Sequence, residues 1–233
     1  MNAISAVSEN TAFNVARWRA DFPLLAEQVY DKPLVFLDSA ASAQKPQSVI
    51  DAVSYCYEHE YANIHRGVYW LSQKSTEAYE QARVKVQGFI NAASEREIVF
   101  TKGTTEAINL VASSYGGSEL QAGDEIILSH LEHHANIVPW QLLRQRIGIE
   151  IKVAPIDEQG NFLLEEFEKL LSPRTRLVAI THGSNALGTI PPVDDIIRLS
   201  HARGALVLLD GAQAVVHGPV DVQALDVDFY AFS

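Results

Sequence analysis

The residues best suited to chemistry stand directly after short apolar runs of the sequence. Gly103, Thr104 and Thr105 follow one such run and lead into a helical pattern. Backbone N–H groups, two hydroxyls and the positive end of a helix dipole make this position suitable for a phosphate. A plain helix cap explains the same residues, because Thr is a good N-cap residue. Neither glycine-rich nucleotide-binding pattern is present here, so the segment does not indicate a nucleotide site.

A cluster of histidines follows a second apolar run. His130, His133 and His134 stand around Glu132, which invites a metal-site interpretation. The cluster lacks the helical H-E-x-x-H pattern and has no cysteine beside it, so we predict no metal site. An imidazole at a strand end also stacks on planar ligands, or accepts a local hydrogen bond.

Two further apolar runs end in single polar side chains. Asp210 and Gln213 follow one run, and Asn185 lies in a Ser-Asn-Gly segment after another. A carboxylate at the end of an apolar strand is costly to bury unless it has a cationic partner, such as a protonated pyridine nitrogen. Asn185 can bond a ring hydroxyl or a substrate carboxylate. A helix or turn cap explains Asp210 equally well when it is taken alone, and a plain turn explains the Asn185 segment better than a ligand site does.

The elements that must position these residues alternate between strand and helix. Apolar runs such as 177–180 and 205–209 suit strands covered on both faces. Such alternation predicts an α/β fold with three α/β/α layers and a mostly parallel central sheet. The predicted strands are 34–37, 97–101, 125–129, 150–154, 176–181, 205–210 and 228–232. The predicted helices are 46–60, 76–90, 105–114, 137–146, 163–171 and 193–202.

In a parallel sheet, ligands bind beyond the carboxyl ends of the strands. Phosphate donors, an imidazole, an amide and a carboxylate are therefore expected at one edge. Together they suit a phosphorylated, planar, nitrogen-containing cofactor better than four unrelated caps.

Composition restricts the class of protein. The 233 residues carry a formal charge of −11, which argues against nucleic-acid binding. The start of the chain lacks a signal peptide and no apolar run is long enough to cross a membrane, so a soluble, cytoplasmic protein is predicted. We predict a tail and helix over 1–30, with 1–12 loose, and one large domain over 31–233.

Two expectations concern single features of the chain. Residues 227–233 form a predicted core strand with nothing after it, so the chain is expected to be a fragment. The single cysteine, Cys56, lies in an apolar helical stretch with Val53, Tyr55 and Tyr57. That setting predicts a buried structural thiol.

The sequence resembles the class V aminotransferase-like enzymes that use pyridoxal 5′-phosphate (PLP), and within them the cysteine desulfurases of the SufS/CsdA type. The resemblance covers nearly the whole chain. The motifs that carry it are ADFP at 20–23, LDSAAS at 37–42, NIHRG at 63–67, GTTEAIN at 103–109, EHHANIVPW at 132–140, SNALG at 184–188, DGAQA at 210–214 and DVDFYAFS at 226–233.

The resemblance implies a role for each matched residue. Thr104, Thr105 and Ser233 would bind the cofactor phosphate. His133 would stack on the pyridine ring and act in catalysis, Asp210 would pair with the ring nitrogen, and Gln213 would bond the phenolic oxygen. Asn185 would hold the substrate carboxylate, with His65 and Arg66 in a loop near the substrate.

The implied reaction removes sulfur from L-cysteine and leaves L-alanine and an enzyme persulfide for iron–sulfur cluster assembly. The implied partners are a sulfur-acceptor protein and a second copy in a homodimer. In this family Ser233 would precede Gly-His-Lys, whose lysine holds PLP, and the persulfide cysteine lies further on. The chain alone is therefore expected to be inactive. The alternatives are a selenocysteine lyase or another class V enzyme, a non-catalytic remnant of the fold and, least favoured, a metal-dependent hydrolase.

Overall fold

The computed structural model describes residues 13–233, which fall into two compact units divided between Tyr79 and Glu80. The predicted loose tail, residues 1–12, lies outside the described residues. The predicted domain boundary at residue 31 stays a prediction. All five strands of the larger sheet belong to the second unit.

The first unit is built from short elements joined by turns. Its helices are α1 (Val15–Ala20), α2 (Gln47–Tyr55) and the first half of α3 (Trp70–Phe89), and its hairpin pairs β1 (Gln28–Val29) with β2 (Lys32–Pro33). Tyr30 and Asp31 both have positive φ, as a two-residue hairpin turn requires. After α2 the chain continues in a π-helical turn, Cys56–Glu60.

The prediction of a buried Cys56 is wrong, because the structure exposes this thiol. An amphipathic pattern identifies the apolar face of a helix, but it does not establish that anything covers that face. Val53, Tyr55 and Tyr57 beside it are also exposed. Among described residues 13–79 only Ser72 is buried.

The second unit holds a five-stranded parallel sheet. Its strands are β3 (Glu125–Ser129), β4 (Glu150–Ala154), β5 (Thr175–Thr181), β6 (Leu206–Asp210) and β7 (Phe229–Ala231). The spatial order is β4-β3-β5-β6-β7. The chain passes from β3 to β4 and then returns across β3 to β5, so the topological switch point lies between β3 and β5.

Helices cover both faces of this sheet, as the sequence predicts. They are α4 (Thr104–Ser113), α5 (Tyr115–Glu119), α6 (Val138–Ile147), α7 (Leu164–Leu170), α8 (Val193–His201), α9 (Ala214–His217) and α10 (Val222–Leu225). Alternate residues of each strand enter opposite cores: Ile126 packs with Trp140 of α6, and Ile127 packs with Phe167 of α7. The α/β fold with three layers and a parallel sheet is therefore confirmed.

Two predicted strands are absent from the part of the chain that the structure describes. Residues 34–37 and 97–101 carry short apolar runs, but neither segment pairs with a strand there. A 3-10 turn, Glu95–Glu97, occupies the start of the second segment. Strand formation requires a paired backbone as well as an apolar pattern, and here only the pattern is present.

Candidate functional site

The hydroxyl groups of Thr104 and Ser233 meet where the N-terminus of α4 lies beside the residues that follow β7. Gly103 precedes the helix with φ +147°, a conformation that side chains rarely adopt. The Thr104 and Ser233 hydroxyl oxygens lie 2.8 Å apart, although 129 positions separate them in sequence. Glu106 accepts a hydrogen bond from the Lys102 N–H at 2.5 Å and so fixes the first turn. Free N–H groups, the helix dipole and two hydroxyls can together bind a phosphate.

Asp210 stands at the end of β6, in register with Thr181 of β5 and Ala231 of β7. Its carboxylate is buried and accepts a hydrogen bond from the Ala212 N–H at 3.0 Å. Burial raises the pKa of Asp210, and the backbone hydrogen bond and His133 oppose that rise. A buried carboxylate of this kind favours a cationic N–H partner.

The turn after Asp210 depends on a close approach between backbone and ring. A Cβ on Gly211 would lie 2.2 Å from Cζ of Tyr230, so no side chain fits there without movement. The Tyr230 hydroxyl lies 3.1 Å from Nδ1 of His182. Gln213 follows this turn and lines a cavity of about 400 Å³ together with His182.

His133 and Asn185 line one cavity of about 270 Å³, although they follow different strands. Both side chains are exposed. The Ala135 N–H donates to Nδ1 of His133 at 3.2 Å. Because Nδ1 accepts this bond, the imidazole hydrogen lies on Nε2.

Glu132 is the residue of this region whose role the sequence reasoning missed. Its carboxylate accepts hydrogen bonds from the Ser129 hydroxyl at 2.5 Å, the Asn136 amide at 2.7 Å and the Thr181 N–H at 3.0 Å. The spacing of Glu132, Asn136 and Trp140, four residues apart in each case, was the available signal. The contact with Thr181 has no local signal, because it depends on how β3 and β5 pair.

The other predicted site residues, Thr105, His65 and Arg66, are each described by their own contacts. Thr105 is exposed on α4, and its carbonyl accepts from the Asn109 side chain at 2.8 Å. His65 and Arg66 are exposed in the first unit, where the His65 N–H donates to the Thr76 hydroxyl at 2.9 Å. Their proximity to the strand ends of the second unit stays a prediction.

A phosphorylated, planar pyridine fits the residues at these strand ends. A backbone at φ +147° beside two hydroxyls suits a phosphate, and a buried carboxylate suits a ring N–H. Within residues 13–233, no group of three or more His, Cys, Asp or Glu side chains is placed to hold a metal ion. In the same residues, no helix combines the length and the apolar character that crossing a bilayer requires.

Comparison with known proteins gives consistent matches. A probable cysteine desulfurase of Mycolicibacterium paratuberculosis is 58% identical over 225 residues, which are 97% of this chain and 33% of the relative. The crystal structure of the Escherichia coli cysteine desulfurase CsdA matches with a TM-score of 0.83 and 43% identity, over 95% of this chain and 54% of that one. A C-DES mutant with glycine covalently linked to its PLP cofactor matches with a TM-score of 0.79 and 26% identity, over 92% and 55%.

This chain spans between a third and just over half of the length of these relatives. The family model described as aminotransferase class-V matches residues 35–233, and so includes every predicted site residue. The chain therefore belongs to the class-V aminotransferase family.

Proposed function

We propose that this chain is part of a PLP-dependent cysteine desulfurase. The Cβ–S bond of L-cysteine would break as a sulfur–sulfur bond forms with an enzyme thiolate, and a proton on Cβ would complete L-alanine. A sulfur-acceptor protein of iron–sulfur cluster assembly would then take the sulfur from the persulfide. The observation that carries the proposal is the hydroxyl pair of Thr104 and Ser233 at the same sheet edge as the buried Asp210.

The residues of this chain would bind and orient the cofactor. Thr104, Thr105 and Ser233 would hold the phosphate at the positive end of α4. Asp210, buried among the strand ends, would accept the hydrogen of the ring nitrogen. Gln213 would donate to the phenolic oxygen. When bound, PLP supplies an electron sink for the bonds around the substrate Cα.

His133 would stack on one face of the ring and present its Nε2–H beside it. Asn185 lines the same cavity and would orient the substrate carboxylate. The roles of His65 and Arg66 near the substrate stay predictions from the resemblance. The cytoplasmic location stays a prediction from the sequence, and the homodimer stays a prediction from the resemblance.

We call the proposed cofactor-binding residues Thr104, Thr105, Asp210, Gln213 and Ser233 the cofactor cradle. The cradle is tested with pyridoxamine 5′-phosphate, which has the phosphate, ring nitrogen and phenolic oxygen but no aldehyde. It cannot react with surface lysines, so its binding reports on the cradle alone. Titration of the 233-residue chain, followed by ligand fluorescence, should show saturable binding that inorganic phosphate displaces. Asp210→Asn should raise the Kd about tenfold to a hundredfold, because a charge-assisted hydrogen bond becomes a neutral one.

Asp195→Asn is the matched control, because Asp195 is an exposed carboxylate on α8 that pairs with Arg198 at 2.8 Å. It should leave the Kd unchanged. Equal weakening by both variants, or no saturable binding to the parent chain, would contradict the cradle.

The reaction is tested on the protein extended to the length of its relatives. With PLP and L-cysteine, that protein should release alanine and sulfide in the presence of a thiol reductant. Release of alanine from L-selenocysteine alone would favour a selenocysteine lyase. Absence of both activities in a protein that binds the cofactor would overturn the proposal.

A further inference from the structure

Glu132 lies at the topological switch point of the sheet. One carboxylate oxygen, Oε1, accepts from the Ser129 hydroxyl of β3 and from the Thr181 N–H of β5. β3 and β5 pair only over Glu125–Ile127 of β3, so the backbone ladder does not reach the carboxyl end of β3. The side chain of Glu132 thus joins two strands beyond the last of their paired residues.

The other oxygen of Glu132 extends this connection into the turn that follows His133. Oε2 accepts from Nδ2 of Asn136, and Oδ1 of Asn136 accepts from the Trp140 indole N–H at 3.0 Å. Asn136 and Trp140 are completely buried. A buried network whose members all have partners permits one arrangement of its side chains. The 3-10 turn His134–Asn136 is therefore fixed to both strands and to α6.

In sequence, His133 lies between Glu132 and Asn136, the two residues that this hydrogen-bond network holds in place. The turn also supplies the Ala135 N–H, which bonds Nδ1 and leaves the imidazole hydrogen on Nε2. The ring itself is exposed and carries no further support from the network. Its orientation and its tautomer both depend on where the turn holds Ala135.

We propose that Glu132 is a positioning residue, which fixes the turn 134–136 across the switch point and so holds His133 in one orientation with its hydrogen on Nε2. The stacking of a planar ligand on that ring rests on the proposed function. The control of the ring by Glu132 does not.

The electrostatic environment of Glu132 agrees with its proposed role as a positioning residue. Burial raises the pKa of Glu132 to about 7, against the lowering effect of its three hydrogen bonds, and Asp210 raises it further. Asp210 is the ionisable group that acts on Glu132, and His133 acts on Asp210.

The test uses the amide variant E132Q, which keeps the size of the side chain. Its NH₂ group would face either Asn136 Nδ2 or the Thr181 N–H, so one buried donor always lacks an acceptor. If Asn136 turns over to accept, its own NH₂ group meets the Trp140 N–H. The double variant E132Q/N136D removes the conflict, because the new carboxylate accepts from both the amide and the indole.

The first measurement is a long-range ¹⁵N–¹H spectrum of the histidine-labelled chain without ligand, in which a His133→Gln variant assigns the signal. The parent chain and the double variant should show a single Nε2–H tautomer for His133. E132Q should show a mixture of tautomers or a broadened signal. The second measurement is the Kd for pyridoxamine 5′-phosphate, which should rise about tenfold in E132Q and return to within about threefold in the double variant.

Glu125→Gln is the matched control, because Glu125 is a buried carboxylate at the opposite end of β3. It should lower stability and leave the His133 signal unchanged. An unaltered His133 signal in folded E132Q, or an equal change in E125Q, would overturn the proposal. If E132Q does not fold, Ser129→Ala removes a single donor to Glu132 and should shift the His133 signal in the same direction. An unchanged signal in that variant also overturns the proposal.

The two proposals can fail separately. If the His133 signal responds as expected while no variant binds the pyridoxamine ligand, the positioning of His133 stands and the proposed function fails.

Discussion

Buried Glu125 at the start of β3 and half-buried Glu132 just after its end show how the surroundings of a residue set its charge. Burial raises the pKa of Glu132 to about 7, because its three hydrogen-bond donors are all neutral. Burial acts in the same direction on Glu125, yet the pKa of Glu125 is lowered to about 2. Lys152 at 2.7 Å supplies a hydrogen bond and a positive charge there, and the Ser172 and Thr175 hydroxyls also donate to Glu125. The partners decide the direction of each shift.

The raised pKa of Glu132 predicts a loss of stability with increasing pH. The folded state holds the Glu132 proton more tightly than the unfolded state, so this stabilisation is complete below the ordinary value of 4.5 and disappears as pH rises through 7. Relative to E132Q, the parent chain should lose about 3 kcal/mol of unfolding free energy over that interval. Urea unfolding at a series of pH values measures the difference, in which the titration of the groups that both proteins share largely cancels. Parallel pH profiles for the two proteins would contradict this expectation.

At the scale of elements, the strand ends remote from the site are held by charge. Glu125 of β3 bonds Lys152 of β4, and Arg174 and Thr175 at the start of β5. Ser172 also donates to it at 2.6 Å. The amino ends of three strands thus meet at one carboxylate, which fixes their relative register while the carboxyl ends carry the candidate site.

The lowered pKa of Glu125 predicts an acid-dependent loss of stability in the parent chain. The lowered pKa of Glu125 means that its stabilisation is present above 4.5 and is lost as pH falls toward 2. Glu125→Gln should cost about 3 kcal/mol near neutral pH, because Lys152 loses its charged partner and Arg174 keeps only the longer contact with Glu150. The variant should then lose less stability than the parent chain on acidification. Glu150→Gln, at an exposed carboxylate 3.7 Å from Arg174, should change little. If Glu150→Gln has the larger effect, the assignment to Glu125 is wrong.

The sequence predicts the elements better than it predicts their partners. All five strands of the parallel sheet are predicted, and the central ones most directly, because apolar runs such as 177–180 require cover on both faces. Residues 34–37 and 97–101 carry similar local patterns, but strand pairing is not local. For the same reason, the hydrogen bond from the Thr181 N–H to Glu132, 49 positions away in sequence, could not be predicted. Asp210 and Thr104 could be predicted because a polar residue directly after an apolar run is itself a local signal.

At the scale of the whole molecule, the two units differ in how much of their apolar surface is buried. The second unit contains both cores of the sheet. In described residues 13–79, by contrast, large side chains such as Tyr55, Tyr57 and Trp70 are exposed. Local stability follows buried apolar contact, so the two units should open independently and at different free energies.

Hydrogen exchange of the 233-residue chain measures this difference directly. Amides of α2 should exchange at least about a hundredfold faster than those of α8, whose inward residues Ile196 and Ile197 are buried. Both helices have nine residues, so length does not explain the contrast. Equal protection of α2 and α8 would show that the first unit is covered in solution.

The hydroxyl pair of Thr104 and Ser233 also has a consequence for the order of folding. Because 129 positions separate the two residues, their loop closes only after β7 has joined the sheet. A chain that emerges from the ribosome with α4, β3 and β5 already formed would still lack the Ser233 hydroxyl of the proposed phosphate site. Binding of a phosphorylated ligand would therefore begin only when the parallel sheet is complete through β7. In pulse-labelled nascent chains, ligand binding should appear in a single step and not gradually with chain length.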